Sequence, residues 1–362
     1  MILFGLCVAA TIFGLVLIAS AADSYESTGR LLIVQAGGAF LGIILFIAFS
    51  LIDMDDLAGY WKVILAFNII FVASTFFIGV EVSGNKSWIE IPLIGIRAQP
   101  AEIVKVSFIL LLAKQMYVLR DRISHPLSVG MIFGHFALMI GIIWIASGDM
   151  GMAVVYIFIF ICMAFASGIR FWWFLGGGAA VVAAAPVIWR SLGEYQRMRI
   201  LVVIDDTLDP LGIGWHTTRS KLALGSGKFL GQGLFNGTQT QKGVLPAKHT
   251  DYIYSVAGEE LGMVGCVIIL CLLVAIIIRC LYVATRAKNG MGSLICVGMA
   301  AMLIFQTFEN IGMCIGLTPV IGITLPFFSY GGSSVMTMFA AMGMVSSVKM
   351  RPMPGWLKST RA

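Results

Sequence analysis

Residues 256–284 read VAGEELGMVGCVIILCLLVAIIIRCLYVA. From Leu261 to Ile278, eighteen residues in a row carry no charge. A helix of about 20 such residues is long enough to cross the hydrocarbon core of a bilayer. Applied outward along the chain, the same test gives ten spans, with approximate limits 1–22, 31–52, 61–80, 101–119, 127–147, 150–169, 171–190, 256–284, 291–316 and 325–348. The 362-residue chain is 59% hydrophobic and 12% charged, against roughly 25% charged residues in soluble domains. Its mean hydropathy is +0.96. These values exclude a soluble globule, a disordered chain, a collagen-like repeat and a disulfide scaffold. The expected fold is an all-α polytopic membrane protein, one transmembrane domain over 1–362 with a single long loop, about 191–255, between the seventh and eighth helices.

Met1 to Ala22 ends in Ala19-Ser20-Ala21, a pattern that resembles a signal-peptidase site. No basic stretch precedes it and the run is long enough to span, so it reads as the first transmembrane helix. Ser147-Gly148-Asp149-Met150-Gly151 is a tight turn between the fifth and sixth spans. Basic residues set the orientation. With the N-terminus cytoplasmic, twelve lie inside: Lys62, Lys114, Arg120, Arg122, Arg170, Arg279, Arg286, Lys288, Lys349, Arg351, Lys358 and Arg361. Arg30, Lys86 and Arg97 alone then fall in short outer loops. This places both termini in the cytoplasm and residues 191–255 outside.

The net charge of +6 does not point to nucleic acid, because no basic, aromatic-interleaved face lies outside the apolar runs. The seven cysteines form no CxxC or Cys/His spacing and read as small packing residues. Gly38-xxx-Gly42 and Gly258-xxx-Gly262 suit close helix packing. The long loop carries eight basic residues, counting Arg190, and five acids, with no clear helix. Short amphipathic or re-entrant pieces against the bilayer fit its glycines and apolar residues. Gly225-Ser-Gly-Lys228 lacks the spacing and the preceding strand of a phosphate loop, and its glycines read as points of close backbone approach.

Ionisable groups at membrane depth are functional candidates by default. Glu102 and Lys105 stand one turn apart at the head of an apolar helix, just after Arg97 and Gln99-Pro100. Asp149 sits in the short turn, Glu259-Glu260 open the helix after the loop, and Glu309-Asn310 lie in the ninth span. A carboxylate that caps a helix, or a Glu102–Lys105 pair that only joins helices, is the competing reading, and it weighs most for Glu260 and Glu309. Arg97, Lys105, Asp149 and Asp251 all fall at one face, the outer one. Among the loop acids Asp251 is nearest the return into the membrane, whereas Asp205, Asp206 and Asp209 lie in a turn-like, Pro-containing stretch that they cap or solvate.

These residues carry a resemblance. Arg97-Ala-Gln-Pro-Ala-Glu102-Ile-Val-Lys105, Ser147-Gly-Asp149-Met-Gly151, Asp209-Pro-Leu-Gly-Ile-Gly214, Gly225-Ser-Gly, Gly237-Thr-Gln239, Leu245-Pro246 and His249-Thr-Asp251-Tyr-Ile resemble the shape, elongation, division and sporulation (SEDS) family. So do Glu259-Glu-Leu-Gly262, Asn310-Ile-Gly-Met313, Gly316-Leu-Thr-Pro-Val-Ile-Gly322 and Leu325-Pro-Phe-Phe-Ser-Tyr-Gly-Gly-Ser-Ser334. Gly237-Thr-Gln239 and the Asp-Pro-Leu-Gly stretch look more like the rod-shape, elongation branch than the division or sporulation branches. The chain departs from the family pattern at Ala101, where Ser is usual, at Ala247, where Glu is usual, at Tyr252, where Phe is usual, and at Lys228, which breaks a glycine pair.

The resemblance implies a peptidoglycan glycosyltransferase of the bacterial cytoplasmic membrane, acting in cell-wall biogenesis and cell shape. Its substrate would be lipid II, an undecaprenyl-pyrophosphate-linked disaccharide-pentapeptide. Its partners would be a class B penicillin-binding transpeptidase and the elongation machinery. The family's essential loop aspartate matches Asp251, which is then the general base, with His249 either tuning it or standing as a structural histidine. Arg97, Lys105 and one or more of Arg197, Arg199 and Lys221 would hold the diphosphates, with Glu102 and Asp149 as the neighbouring acids. A divalent cation, Mg or Mn, held by acids could share the charge of the leaving group. A lipid II flippase would use the same groove without a base, and a non-catalytic scaffold for the transpeptidase is a third reading.

Overall fold

Helices stand at each of the ten apolar runs in the computed structural model, which describes residues 1–23, 28–82, 85–91, 96–210 and 212–351. Lys358 and Arg361 of the basic count and Leu211 of the loop motif lie outside the described residues. In chain order the first elements are α1 (Ile2–Ala22), α2 (Thr28–Leu51), a short α3 (Met54–Gly59), α4 (Trp61–Ile78), β1 (Val80–Val82), β2 (Asn85–Ile91) and β3 (Ile96–Ala98). Next come α5 (Pro100–Val118), α6 (Pro126–Ser147), α7 (Met150–Ala166) and α8 (Phe171–Ser191). The long loop holds α9 (Glu194–Ile204), α10 (Ile213–Ser226) and α11 (Thr238–Gln241), and α12 (Ile253–Ala284), α13 (Gly290–Ile315) and α14 (Gly332–Met350) close the bundle.

Local chemistry sets several of these ends. Pro100 and Pro126 open α5 and α6, where a missing N–H costs nothing. Gly148 ends α6 in the left-handed region at φ 63, and Asp149 then caps α7 by accepting from Met152 N at 3.0 Å. The tight turn expected at 147–151 is therefore a C-cap followed directly by an N-cap.

Seven helices are long and apolar enough to cross a membrane by length and composition, and α7 is a shorter apolar helix. The other two, α5 and α14, are more polar because protein rather than lipid surrounds them. Glu102 and Lys105 of α5 and Ser333, Ser334, Thr337 and Ser347 of α14 are all buried. The bundle is graded: 72% of the α13 window is buried, whereas α8 buries nothing. Gly38 and Gly42 of α2 pack on Gly332 and Phe339 of α14, the close helix contact that their spacing predicts.

Four features differ from the sequence reading. A three-stranded antiparallel sheet, order β1-β2-β3, stands in a chain expected to be all helical, pairing Val80 with Trp88 and Glu90 with Arg97. The long loop contains true helices, α9 and α10, and α10 is bonded to the bundle through Ser220, whose hydroxyl meets Ser255 Oγ at 2.6 Å and Cys314 O at 2.7 Å. The last helix begins at Gly332 rather than near 325, leaving 317–331 as irregular backbone with Leu325, Phe327 and Phe328 buried.

The fourth concerns Gly258-xxx-Gly262, in which Gly258 packs on Leu224 of α10 as a helix contact while Gly262 packs on the irregular loop backbone at Phe229 and Gly231. Gly262, at φ 67 and ψ −160, breaks the helical path of α12. A kink strands backbone groups that must find partners inside the protein. The loop supplies them: Gln232 N and Gly233 N donate to Glu259 O and Glu260 O, both at 2.9 Å, and Met263 N donates to Lys228 O at 2.9 Å. A Cβ at Gly231 or Gly262 would collide with the opposing backbone, which accounts for the loop glycines as points of close approach.

Glu259 and Glu260 tie this seam together. Glu259 accepts from Thr238 Oγ1, Gln239 N, Thr240 N and Thr240 Oγ1 at 2.6–3.2 Å, and Glu260 accepts from Ser20 Oγ and Gln241 Nε2. Both are structural carboxylates. Glu259→Leu strands these donors in a buried seam, and each unsatisfied donor costs about 1–3 kcal/mol. A thermal-unfolding midpoint several degrees below wild type is expected, whereas an unchanged midpoint would show that the loop is not held here.

Candidate active site at the Asp251 turn

Asp251 lies in a tight turn just before α12. The amides of Thr250, Asp251 and Tyr252 all converge on Ala247 O at 3.1–3.2 Å, with Ala247 at φ 42. The hub of the turn is a backbone carbonyl, so Ala in place of the family's usual Glu does not unmake it. The next three carbonyls are held from outside. Tyr330 N donates to His249 O at 2.8 Å, Ser329 Oγ to Thr250 O at 2.6 Å, and Asn310 Nδ2 to Asp251 O at 2.9 Å. Asn310 Nδ2 also donates to Ile323 O at 2.8 Å, which ties α13, the irregular segment and the turn into one unit. The Asp251 carboxylate lies over Gly322, where an added Cβ would sit 3.6 Å from Oδ2.

Burial pushes the Asp251 carboxyl up to about 6, while the Arg199 guanidinium and a hydrogen bond from Thr250 pull it partly back. A carboxylate in that range is ionised at neutral pH yet basic enough to take a proton. Burial also raises Asp149, against the pull of the Met152 amide and Arg199. Arg199 therefore sits within electrostatic reach of Asp149, Asp251 and the ninth-span Glu309. It comes from α9, where its guanidinium lies 4.5 Å from the Tyr195 ring and Nη2 donates to Tyr195 Oη at 3.1 Å.

Beside the turn a small cleft is lined by Gln99, Glu102, Asp149, Gln306, Gly322 and Thr324, among others. Lys105 pairs with Glu102 at 3.2 Å with both side chains buried, and Ser334 Oγ donates to the same carboxylate at 2.9 Å. Gln99 Nε2 donates to Asp149 Oδ2. Glu102, Lys105, Asp149, Arg199 and Asp251 thus form one polar constellation at one end of the bundle, built from α5, α7, α9 and the turn before α12.

The other expected residues have partners of their own. Arg97 is exposed and bonded across the β2–β3 pair to Glu90 at 3.3 Å. Arg197 donates to Trp189 O and Arg190 O at 2.9 and 2.7 Å, capping α8. Lys221 lies against the backbone of Gly316 at the end of α13. His249 is partly buried with its ring 5.4 Å from that of Tyr330, and burial together with Lys248 keeps it below the usual histidine range. It is neutral at physiological pH. Among the described residues no three His, Cys, Asp or Glu side chains converge as metal ligands. Lys105 and Arg199 are the cations nearest the Asp149 and Asp251 carboxylates that the geometry brings together.

The sequence leaves Glu309 between a functional and a helix-joining reading and gives no signal at Gln306 taken alone. With Asn310 they occupy one face of α13, a grouping visible in the i, i+3, i+4 spacing of polar residues on an apolar helix.

A family model covering FtsW, RodA and SpoVE, described as cell cycle protein, matches residues 1–352. The chain belongs to this family. It is 32% identical over 315 residues to the peptidoglycan glycosyltransferase MrdB of Escherichia coli K12, covering 87% of this chain and 84% of that protein. It is 33% identical over 370 residues to the probable peptidoglycan glycosyltransferase FtsW of Trichlorobacter lovleyi, covering 98% and 95%. Among solved structures it resembles a chain from work on structural coordination of polymerization and crosslinking by a peptidoglycan synthase complex, with TM-score 0.83, 28% identity and 96% of each chain covered. The crystal structure of Thermus thermophilus rod shape determining protein RodA follows at TM-score 0.71 and 25% identity, covering 96% of this chain and 95% of that one. The SEDS resemblance and the multi-pass membrane fold are thereby established.

Arg199 stabilises ionised Asp251, so Arg199→Gln should move the Asp251 titration above its wild-type midpoint of about 6. Infrared titration of the carboxyl band, subtracted against Asp251→Asn, measures this. A midpoint that does not move would place Arg199 out of reach of the aspartate.

Proposed function

We propose that this chain is a peptidoglycan glycosyltransferase that polymerises lipid II at the outer face of the cytoplasmic membrane, with Asp251 as general base. The observation that carries the reading is the Asp251 carboxylate, placed at the head of α12 within electrostatic reach of Arg199 and beside the cleft lined by Glu102, whose carboxylate pairs with buried Lys105. In the reaction a sugar hydroxyl gives its proton to Asp251 as its oxygen bonds to the anomeric carbon of a second substrate. The bond from that carbon to the diphosphate oxygen breaks, and the diphosphate leaves with the electron pair. Arg199 and Lys105 are the cations placed to balance that charge. The names of the relatives support this activity, and the synthase complex among the structural neighbours supports a crosslinking transpeptidase as partner. Gly237-Thr-Gln239 favours the elongation branch.

Purified protein given lipid II, alone and with its transpeptidase, tests the reading. Wild type should form polymer, and transbilayer movement without polymer would favour a flippase instead. Positioned general bases contribute about 10²–10⁴-fold, so Asp251→Asn should cut polymerisation by that much while lipid II binding and thermal stability persist. The base must be deprotonated to act. The wild-type rate should therefore fall as pH drops through about 6. Near-normal turnover by Asp251→Asn would end the assignment.

Orientation rests on the twelve-to-three distribution of basic residues and on helix order. The alternating helices carry the Asp149 turn, the Asp251 turn and the α13–α14 connection to one face. Asn236→Cys should accordingly react with a membrane-impermeant thiol reagent in intact cells. Reaction only after permeabilisation would invert the topology.

A further inference from the structure

The α13 face next to Asp251 carries an excess of hydrogen-bond acceptors. Gln306 is 1% exposed, Glu309 3% and Asn310 0%. Among the described residues Gln306 Oε1 and Asn310 Oδ1 are buried without a hydrogen-bond partner, and neither oxygen of the Glu309 carboxyl is paired in good geometry. Thr318 Oγ1 approaches that carboxyl but donates to the Glu309 backbone carbonyl at 3.0 Å. Unpaired buried acceptors are costly, about 1–3 kcal/mol each and more when charged, so native interiors hold few of them. Four oxygens within one helical turn are therefore a functional arrangement and not a packing accident.

Their placement says what they await. Gln306 lines the cleft with Glu102, Asp149 and Gly322, and Glu309 is within electrostatic reach of Asp251 and Arg199. Asn310 holds the Asp251 carbonyl through its nitrogen, which leaves its oxygen open. A ligand that fits such a row brings several donors close together. Phosphate groups bring none. A sugar brings hydroxyl and amide N–H groups spaced over one ring.

We propose that Gln306 and Glu309 form an acceptor subsite for the hydroxyl and amide N–H groups of the sugar whose hydroxyl Asp251 deprotonates. This rests on the glycosyltransferase reading above and adds the residues that orient the attacking sugar. Glu309 supplies two strong acceptor oxygens, Gln306 supplies a third on the cleft side, and together they turn the reacting hydroxyl toward Asp251.

Glu309→Gln, Glu309→Leu and Gln306→Leu in the full-length protein test it, with polymerisation rates against lipid II concentration and thermal unfolding measured on each. Loss of one or two hydrogen bonds of about 1 kcal/mol each changes binding by about five- to thirty-fold. KM should rise by that factor in Glu309→Leu and by less in Glu309→Gln, which keeps one acceptor. Gln306→Leu and Glu309→Leu should unfold at or above the wild-type temperature, because each removes an unpaired buried acceptor. Residues that only hold helices together would give the opposite pattern, a lower unfolding temperature with KM unchanged in the folded fraction, and that result overturns the proposal. So does wild-type KM in all three variants while the wild-type protein polymerises. A wild-type protein that forms no polymer would instead remove the underlying reading.

Discussion

The hydrogen bonds from Tyr330, Ser329 and Asn310 to the consecutive carbonyls of His249, Thr250 and Asp251 are the constraint on which the rest of the architecture depends. A turn at a membrane boundary cannot rely on water, so its backbone must be satisfied from within the protein. Each such bond contributes about 1 kcal/mol net, yet leaving its acceptor bare costs up to about 3. The donors are themselves held. Gln35 of α2 donates to Ser329 O at 3.2 Å and accepts from Gly331 N at 2.9 Å, and the close approach of Gly38 to Gly332 leaves no room for α2 and α14 to separate. The position of Asp251 is thus set by the tightest helix pair in the bundle, relayed through irregular backbone.

Carboxylates in this chain divide by how many donors they receive. Glu259 accepts from four and is spent on structure. Glu102 accepts from Lys105 and Ser334, which fixes a charged pair inside the bundle. Asp251 keeps a carboxyl pushed up to about 6 by burial, and among the described residues the Glu309 carboxyl receives no donor in good geometry. Acids rich in donors are stable and inert, whereas acids poor in them remain available to a substrate. The division follows the chemistry: the structural acids stitch the loop to α12, and the reactive ones face the cleft side of α13.

The transmembrane spans were legible because lipid selects for uninterrupted apolar runs, and that signal is local. Gly38-xxx-Gly42 was legible for the same reason. The sheet at 80–98, the helices of the loop and the late start of α14 were not. The loop helix α10 depends on Ser255 and Cys314 and the 317–331 segment on Gln35 and the Asp251 turn, partners distant in sequence, whereas β1 and β3 are three-residue strands too short to carry an alternating pattern. At the site, Asp251 could be singled out by its nearness to the membrane and by family resemblance, and the Glu102–Lys105 pair by helical spacing. Arg97 and Arg197 could not be told from Arg199 by charge alone, since the difference lies in what each side chain touches. Glu309 could not be decided from sequence, because whether a buried acid on a helix has a partner depends on side chains from other elements.

The counter-charge of the base rides on a different part of the molecule from the base itself. Asp251 is fixed from α13 and the segment before α14, among the most buried elements. Arg199 stands on α9, which is joined through Arg197 to the C-terminal carbonyls of α8, and α8 buries no residue at all. The Coulomb interaction of a cation and a carboxylate varies inversely with their separation and strongly with local polarity. The basicity of Asp251 is set first by burial, and the opposing pull of Arg199 acts between a deeply packed and a lightly packed portion of the bundle. An arginine on α13 would hold its charge at a distance fixed by the bundle core, whereas one on α9 holds it at a distance fixed by the outer loop.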